Sequence, residues 1–274
     1  MSRRHVITLP LLLVGGYALI CAALYFAQDS LVYFPRNAPA AELDGAAASV
    51  GFAPWTNGDG HRIGWQSLDG DPRHALLIFH GNGGYALHRN HFASTNHPAD
   101  GTAQPRTYLL EYPGYGARPG TPSEASLTAA ATDAIDTLAA TDPAPRITVL
   151  GQSLGSGVAS AAVGQRPDAV SALILVTPFN SLVAAAHDHY RWIPVPWLLR
   201  TRFDSVRNLA DYPGPVAFIV AKEDQTVPAH LGQALYESYP GTKRLWLIPD
   251  AHHNDTDRLL ADWPEVWTWL ATSR

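Results

Sequence analysis

Ile147 to Ser160 reads "ITVLGQSLGSGVAS". A lone serine, Ser153, stands between Gly151 and Gly155 where β-favouring residues give way to a run of small ones. A serine hydroxyl attacks a carbonyl only if a base takes its proton and a carboxylate orients that base. A strand-to-helix turn sharp enough to lift such a side chain needs small residues two before and two after it. G-x-S-x-G supplies them. The bland reading is a Gly-rich connection that happens to contain a serine. The apolar strand pattern before the motif and the small residues after it, through Ala162, favour a nucleophile instead.

The partners of a serine in this kind of turn follow it in the chain, carboxylate first and histidine second. "FIVAKEDQTVP" ends an apolar run with Asp224, and "LWLIPDAHHND" ends the next with His252 and His253. Asp204 lies in an irregular stretch, Asp250 is too near the histidines to reach around one of them, and Glu223 points away from Asp224 if the strand pattern continues. From the residues alone, either His252 or His253 is the base and the other is a loop residue. Acyl transfer also needs hydrogen-bond donors for the developing oxyanion. The N–H of Leu154, directly after the serine, is one. The loop "HGNGG", His80 to Gly84, offers Asn82 as the second, and His80 within it reads as structural.

These residues need strands that end at one edge. "HALLIF", "RTYLLEY", "RITVLG", "SALILVTPF", "GPVAFIVAKED" and "KRLWLIPD" are mostly continuous apolar runs, the mark of strands buried on both faces. Helical patterns alternate with them: one opened by Ser123, one in "SGVASAAVGQ", one in "PAHLGQALYESY" and a last one in "PEVWTWLAT". The stretch "YALHRNHFAST" is also compatible with helix. Before them, "GFAPWTNGDGHRIGWQSLDGDP" reads as two strands joined at an Asp59-Gly60 turn. The alternation predicts an α/β fold: a doubly wound, mostly parallel sheet with helices on both faces. Residues 179–212 break the alternation and read as a lid-like insertion. Trp192 and Trp197 within it are candidates for the wall of an acyl pocket.

The N-terminus carries a separate signal. No charged residue occurs from Val6 to Gln28, after Arg3 and Arg4, about the ~20 residues a helix needs to cross a bilayer. The stretch ends "YFAQDS" without a small-x-small cleavage site, so an uncleaved anchor is expected rather than a signal peptide. Residues 1–28 are then a cytoplasmic tip and anchor, and residues 29–274 a catalytic domain on the non-cytoplasmic side, facing the periplasm if the protein is bacterial. A Pro/Ala-rich linker is expected from the anchor to about Ser49.

Composition narrows the partners. The net charge of −5 over 274 residues, with no long basic run, speaks against nucleic acid. Cys21 is the only cysteine, which excludes an internal disulfide. The pairs His88/His91 and His187/His189 lack an H-E-x-x-H context, so no metal is expected. Without a phosphate loop or G-x-G-x-x-G, no nucleotide cofactor is implied.

Taken in order, "QDSLVYFP", "FHGNGG", "EYPGYGARPGTPSE", "GQSLGSGVA", "PFNSL", "WIPVPWLLRTRFDS", "KEDQTVP" and "AHHND" resemble the motifs of the α/β-hydrolase fold. They are similar in particular to a membrane-anchored serine hydrolase branch that includes palmitoyl-protein thioesterases and their bacterial relatives. The resemblance covers nearly the whole chain. It implies ester or thioester hydrolysis of acyl substrates. The family's histidine lies in a "GHND"-like sequence, which implies His253 as the base, with His252 where the family usually has glycine. The expected enzyme is therefore a serine hydrolase using Ser153, Asp224 and His253. A peptidase or amidase on the same residues, or a non-catalytic membrane-bound scaffold, are the other readings. A reporter fused to the C-terminus should be active only in a form that folds outside the cytoplasm. A cytoplasmic signal would reverse the topology, and a shortened soluble chain would identify the N-terminal stretch as a cleaved leader.

Overall fold

In the computed structural model, residues 3–94, 104–255, 259 and 261–273 are described. Met1 and Ser2 of the expected tip, and Thr95 at the end of "YALHRNHFAST", lie outside the described residues, as do the side chains of residues 3–9. The chain opens with helix α1 (Arg3–Val32) and helix α2 (Ala40–Ser49). Strands β1 (Phe52–Thr56), β2 (Arg62–Ser67) and β3 (Asp71–Phe79) follow. A 3-10 turn (Ala86–Arg89) and the one-turn helix α3 (His91–Ser94) lead to β4 (Pro105–Leu110). Then come α4 (Glu124–Ala139), β5 (Arg146–Gln152), α5 (Leu154–Gln165) and β6 (Val170–Val176). Three short helices, α6 (Leu182–His189), α7 (Val195–Leu198) and α8 (Ser205–Asn208), precede β7 (Val216–Ala221). The chain closes with α9 (Ala229–Ser238), β8 (Lys243–Ile248) and α10 (Trp263–Thr272).

Among the described residues eight strands form one sheet in the order β1-β2-β4-β3-β5-β6-β7-β8. β1 and β2 run antiparallel, and β3 to β8 are parallel. Successive side chains of a strand point to opposite faces, and both faces are covered. Leu77 and Phe79 pack with Val149, Leu175 and Phe218 under α4, α5 and α9. Leu76 and Ile78 pack with Leu150, Ile174 and Ile219 under α2 and α10. That two-sided burial is why these strands read as unbroken apolar runs.

The register brings the strand ends level. Phe79 pairs with both Leu110 and Gly151, Gln152 with Val176, Val176 with Ile219, and Ala221 with Ile248. The loops leaving β3, β5, β7 and β8 therefore emerge side by side at the carboxyl edge, where open α/β sheets place ligands. α4 starts where Ser123 foretells it: Ser123 Oγ accepts from Ser126 N at 3.0 Å and Ser126 Oγ accepts from Ser123 N at 2.9 Å, a reciprocal cap.

Two boundaries differ from the sequence reading. The expected linker before Ser49 is helix α2, with Leu43 and Ala47 buried under the sheet. Alanines are strong helix formers, and Pro39 sits just ahead of the helix, where its ring is tolerated. The first helix also continues past Gln28 to Val32. Asp29 and Ser30 mark the end of the apolar run but do not end the helix.

The β5-to-α5 turn depends on its two glycines. A methyl group on Gly155 would lie 2.1 Å from the Phe79 carbonyl oxygen, and one on Gly151 would lie 2.3 Å from the Gly155 oxygen. Both obstacles are backbone held by the sheet and α5, so neither can yield cheaply. Gly155→Ala should lower the melting temperature of the detergent-solubilised protein by roughly 5–10 °C, corresponding to about 2–3 kcal/mol of overpacking. An unchanged melting curve would contradict the tight approach of α5 to β3.

Candidate active site

β5 delivers Ser153 into the turn with φ 54° and ψ −121°, a left-handed conformation that costs of order 1–3 kcal/mol for a non-glycine residue. Hydrogen bonds hold it there. Ser153 N–H donates to the Val176 carbonyl at 2.9 Å, and the Ser153 carbonyl accepts from the Ser156 N–H at 2.8 Å and the Ser156 hydroxyl at 2.6 Å. Leu154 is the first residue of α5, so its N–H has no acceptor inside the helix, and the helix dipole places partial positive charge beside Ser153.

Asp224 follows the end of β7 and is buried. Its Oδ1 accepts from the Thr226 and Val227 N–H groups, both at 2.8 Å, and its Oδ2 accepts from His253 Nδ1 at 2.7 Å. Three donors thus converge on one buried carboxylate. His253 follows β8, half-buried, and its Nε2 lies 2.9 Å from Ser153 Oγ. With Asp224 Oδ2 as the acceptor at Nδ1, the ring proton belongs there and the Nε2 lone pair faces the serine hydroxyl. Ser153, His253 and Asp224 thus form one hydrogen-bonded chain.

The neighbouring residue is turned away. His252 is exposed, with Nδ1 2.9 Å from the Glu223 carbonyl oxygen and its N–H donating to Asp255 Oδ2 at 2.8 Å. The side chain standing where glycine is usual fits by lying on the outer surface against β7's exit loop. The rival carboxylates are elsewhere: Asp204 caps α8 by accepting from Arg207 N at 3.1 Å, and Glu223 is exposed.

The loop after β3 lies against the serine, since a methyl group on Gly81 would meet Ser153 Cβ at 3.4 Å. The side chain of Asn82 faces the end of α1. Its Nδ2 donates to the Val32 carbonyl at 2.6 Å, and its Oδ1 accepts from Phe34 N–H at 2.9 Å and the Tyr115 hydroxyl at 2.8 Å. Burial, with Tyr33 nearby, pushes the Tyr115 phenol above its usual range, so it stays a donor. With the amide so engaged, any contact from Asn82 to an oxyanion must come from its main chain. His80 is buried, as expected of a structural residue; its ring lies 3.3 Å from Glu111 and its carbonyl accepts from Tyr112.

Sequence reasoning passed over two features. Arg89 places its guanidinium behind Gly81, where burial pulls its basicity down; it read as an ordinary residue of a helical stretch. Gln28 receives the Arg200 N–H on Oε1 at 2.7 Å and donates to the Leu198 carbonyl at 3.3 Å. A glutamine closing an apolar run was the available signal. Of the tryptophans, Trp192 lines a groove between α1 and the 179–212 segment, whereas Trp197 is 87% exposed and lies outside that lining. Of the histidine pairs, His88 stacks on Tyr85, and His189 bonds the Thr226 carbonyl at 2.9 Å.

A mostly parallel sheet with a strained serine after β5, and an aspartate and a histidine hydrogen-bonded to it in a chain after later strands, defines a class, and comparison with known proteins agrees. The chain belongs to the α/β-hydrolase superfamily, whose alpha/beta hydrolase fold model matches residues 74–208. An uncharacterised protein of Mycobacterium tuberculosis is 34% identical over 238 residues, covering 85% of this chain and 82% of that one. The lysophosphatidylserine lipase ABHD12 of Mus musculus is 28% identical over 199 residues, covering 66% of this chain and 50% of its own length. Among solved structures, ferulic-acid-bound Est1E from Butyrivibrio proteoclasticus superposes with a TM-score of 0.62 at 17% identity, covering 80% of this chain and 98% of that one.

The histidine pair generates a direct comparison. His253→Ala should reduce turnover of a short-chain aryl ester by roughly 10³-fold or more, because a base and its nucleophile act as a unit. His252→Gly should keep most of the activity. Steady-state kinetics on both variants checks this, and an inactive His252→Gly beside an active His253→Ala would exchange the roles.

Proposed function

We infer that this chain is a membrane-anchored serine hydrolase that cleaves carboxylic esters or thioesters of acyl substrates. The observation that carries the reading is the hydrogen-bonded chain from Ser153 Oγ through His253 to buried Asp224. As Ser153 Oγ bonds to the acyl carbon, the hydroxyl proton passes to His253 Nε2, and the carbonyl electron pair moves onto oxygen. Asp224 keeps the imidazole oriented and stabilises its charged form. The N–H groups of Leu154 and Asn82 receive the oxyanion, with the α5 dipole behind them. When the tetrahedral adduct collapses, His253 returns the proton to the leaving oxygen or sulfur. Water then attacks the acyl-enzyme by the same route and frees the acid.

The similarity to a lysophosphatidylserine lipase supports an acyl ester as the substrate class. An anchor role for α1 is supported by a 23-residue span, Pro10–Val32, long and apolar enough on average to cross a membrane. The domain reading is then an anchor at residues 1–28 and a hydrolase domain at 29–274, with 179–212 as its lid. No metal or organic cofactor enters this chemistry.

A fluorophosphonate probe should label the wild-type protein and leave Ser153→Ala unlabelled, with turnover of an aryl ester down by roughly 10³-fold or more and the fold intact. The matched anilide should be cleaved far more slowly than the ester. Persistent labelling of Ser153→Ala would overturn the nucleophile, and faster cleavage of the anilide would make the enzyme an amidase.

A further inference from the structure

α1 does not stand clear of the domain. The segment after α6 runs back along it: the Tyr17 hydroxyl donates to the Trp192 carbonyl at 2.7 Å, Gln28 bridges Leu198 and Arg200, and the Arg200 guanidinium pairs with Asp29 at 2.9 Å. From Tyr17 to Asp29 the helix advances about 18 Å. Between the two runs a groove of about 370 Å³. Ile20, Leu24 and Leu31 line it from the helix, and Tyr190, Trp192 and Ile193 from the opposite side. The lining is apolar, and the one amide in it, that of Gln28, is engaged by the chain.

The two ends of the groove meet different surroundings. One end reaches Val32 and Phe34, whose main chains are held by Asn82, next to the Gly81 that packs on Ser153. The other end follows α1 into its apolar span. The facing stretch "WIPVPWLL", Trp192 to Leu199, carries no charge and exposes Trp192 by 62% and Trp197 by 87%. Arg191, just before it, is turned onto Asp188 at 3.0 Å. Exposed apolar surface of this extent, flanked by paired charges, suits contact with lipid.

We propose that this groove is the acyl-chain site of the enzyme and that its occupant is the long acyl chain of an amphiphile entering from the bilayer along α1. The membrane helix is then one wall of the substrate site as well as the tether. This rests on the ester-hydrolase reading above and on α1 lying in a bilayer. An apolar chain leaving the leaflet for the groove keeps an apolar surround throughout, so it never crosses water on its way to Ser153, and the ester carbonyl arrives at the loop that carries the oxyanion donors.

The test uses the full-length protein in phospholipid nanodiscs, with active enzyme counted by fluorophosphonate labelling. kcat/KM is measured for p-nitrophenyl palmitate and p-nitrophenyl butyrate. Leu24→Trp fills the groove, and Leu31→Trp fills it nearer the serine, so that one variant suffices if the other does not fold. Leu19→Trp is the control, on the same helix but exposed and outside the lining. The palmitate-to-butyrate ratio should fall at least tenfold in the groove variants and stay within twofold of wild type in Leu19→Trp. An unchanged ratio in the groove variants, or an equal fall in Leu19→Trp, overturns the groove while leaving the hydrolase reading intact. A wild-type protein that neither takes the probe nor cleaves butyrate overturns the hydrolase reading, and the groove loses its substrate with it.

Discussion

The structure turns on the close approach of α5 to the end of β3. Gly155 sits where any side chain would collide with the Phe79 carbonyl, and Gly151 sits where one would collide with Gly155. That contact bends the chain sharply enough to hold Ser153 at φ 54°. The strain is small beside the packing of α5, which buries Val158, Ala159, Ala162 and Val163 in the core. A backbone conformation that would relax in a free peptide is over-determined by the sheet beneath it. The same contact sets the loop after β3 against the serine, so Ser153 and that loop are positioned by one piece of packing.

The other components depend on register. Asp224 and His253 come from separate loops, and nothing local brings them together. Ala221 pairs with Ile248, which makes the exits of β7 and β8 neighbours, and Lys222 N and Glu223 N donate to the Ile248 and Ala251 carbonyls at 3.0 Å each. A one-residue slip would displace the two loops relative to one another by roughly 3.3 Å. The cross-strand bonds beyond the last ladder rung lock the register next to Asp224 and His253. The same loop separates the histidine pair, because His252 Nδ1 meets the Glu223 carbonyl and its ring is turned away from Ser153.

Much of this was legible in the sequence because it is written in short-range chemistry. Strands buried on both faces must be apolar throughout, so β3 to β8 announce themselves. G-x-S-x-G has few steric solutions, and Asp224 and His253 follow strand ends in the expected order. What was not legible depends on partners far away in the chain. α2 has the Pro/Ala-rich composition of a linker, and the burial of Leu43 and Ala47, which only the fold reveals, adds to the helix propensity of its alanines. Asn82 suggested itself for its place in a loop, but its side chain serves Val32 and Phe34, some fifty residues earlier. Trp192 and Trp197 looked equivalent in sequence, and the path of the chain separates them, one onto the groove and one outward.

The attachment of α1 carries a consequence for how such an enzyme is built. A tether could join its domain through a flexible linker and leave the active site indifferent to the membrane. Here the helix runs into the domain almost without a break: Tyr33 is buried, Phe34 N–H and the Val32 carbonyl are held by Asn82, and Arg200 closes on Asp29. Hydrogen bonds between groups that are part-buried or desolvated are stronger than their exposed counterparts and costly to leave unmade. The end of α1 is therefore fixed relative to the loop after β3, and with it the direction of α1 relative to the sheet's carboxyl edge. A single side chain, that of Asn82, thus joins the end of α1 to the loop that packs on Ser153, so a change in the direction of the helix is felt at that loop.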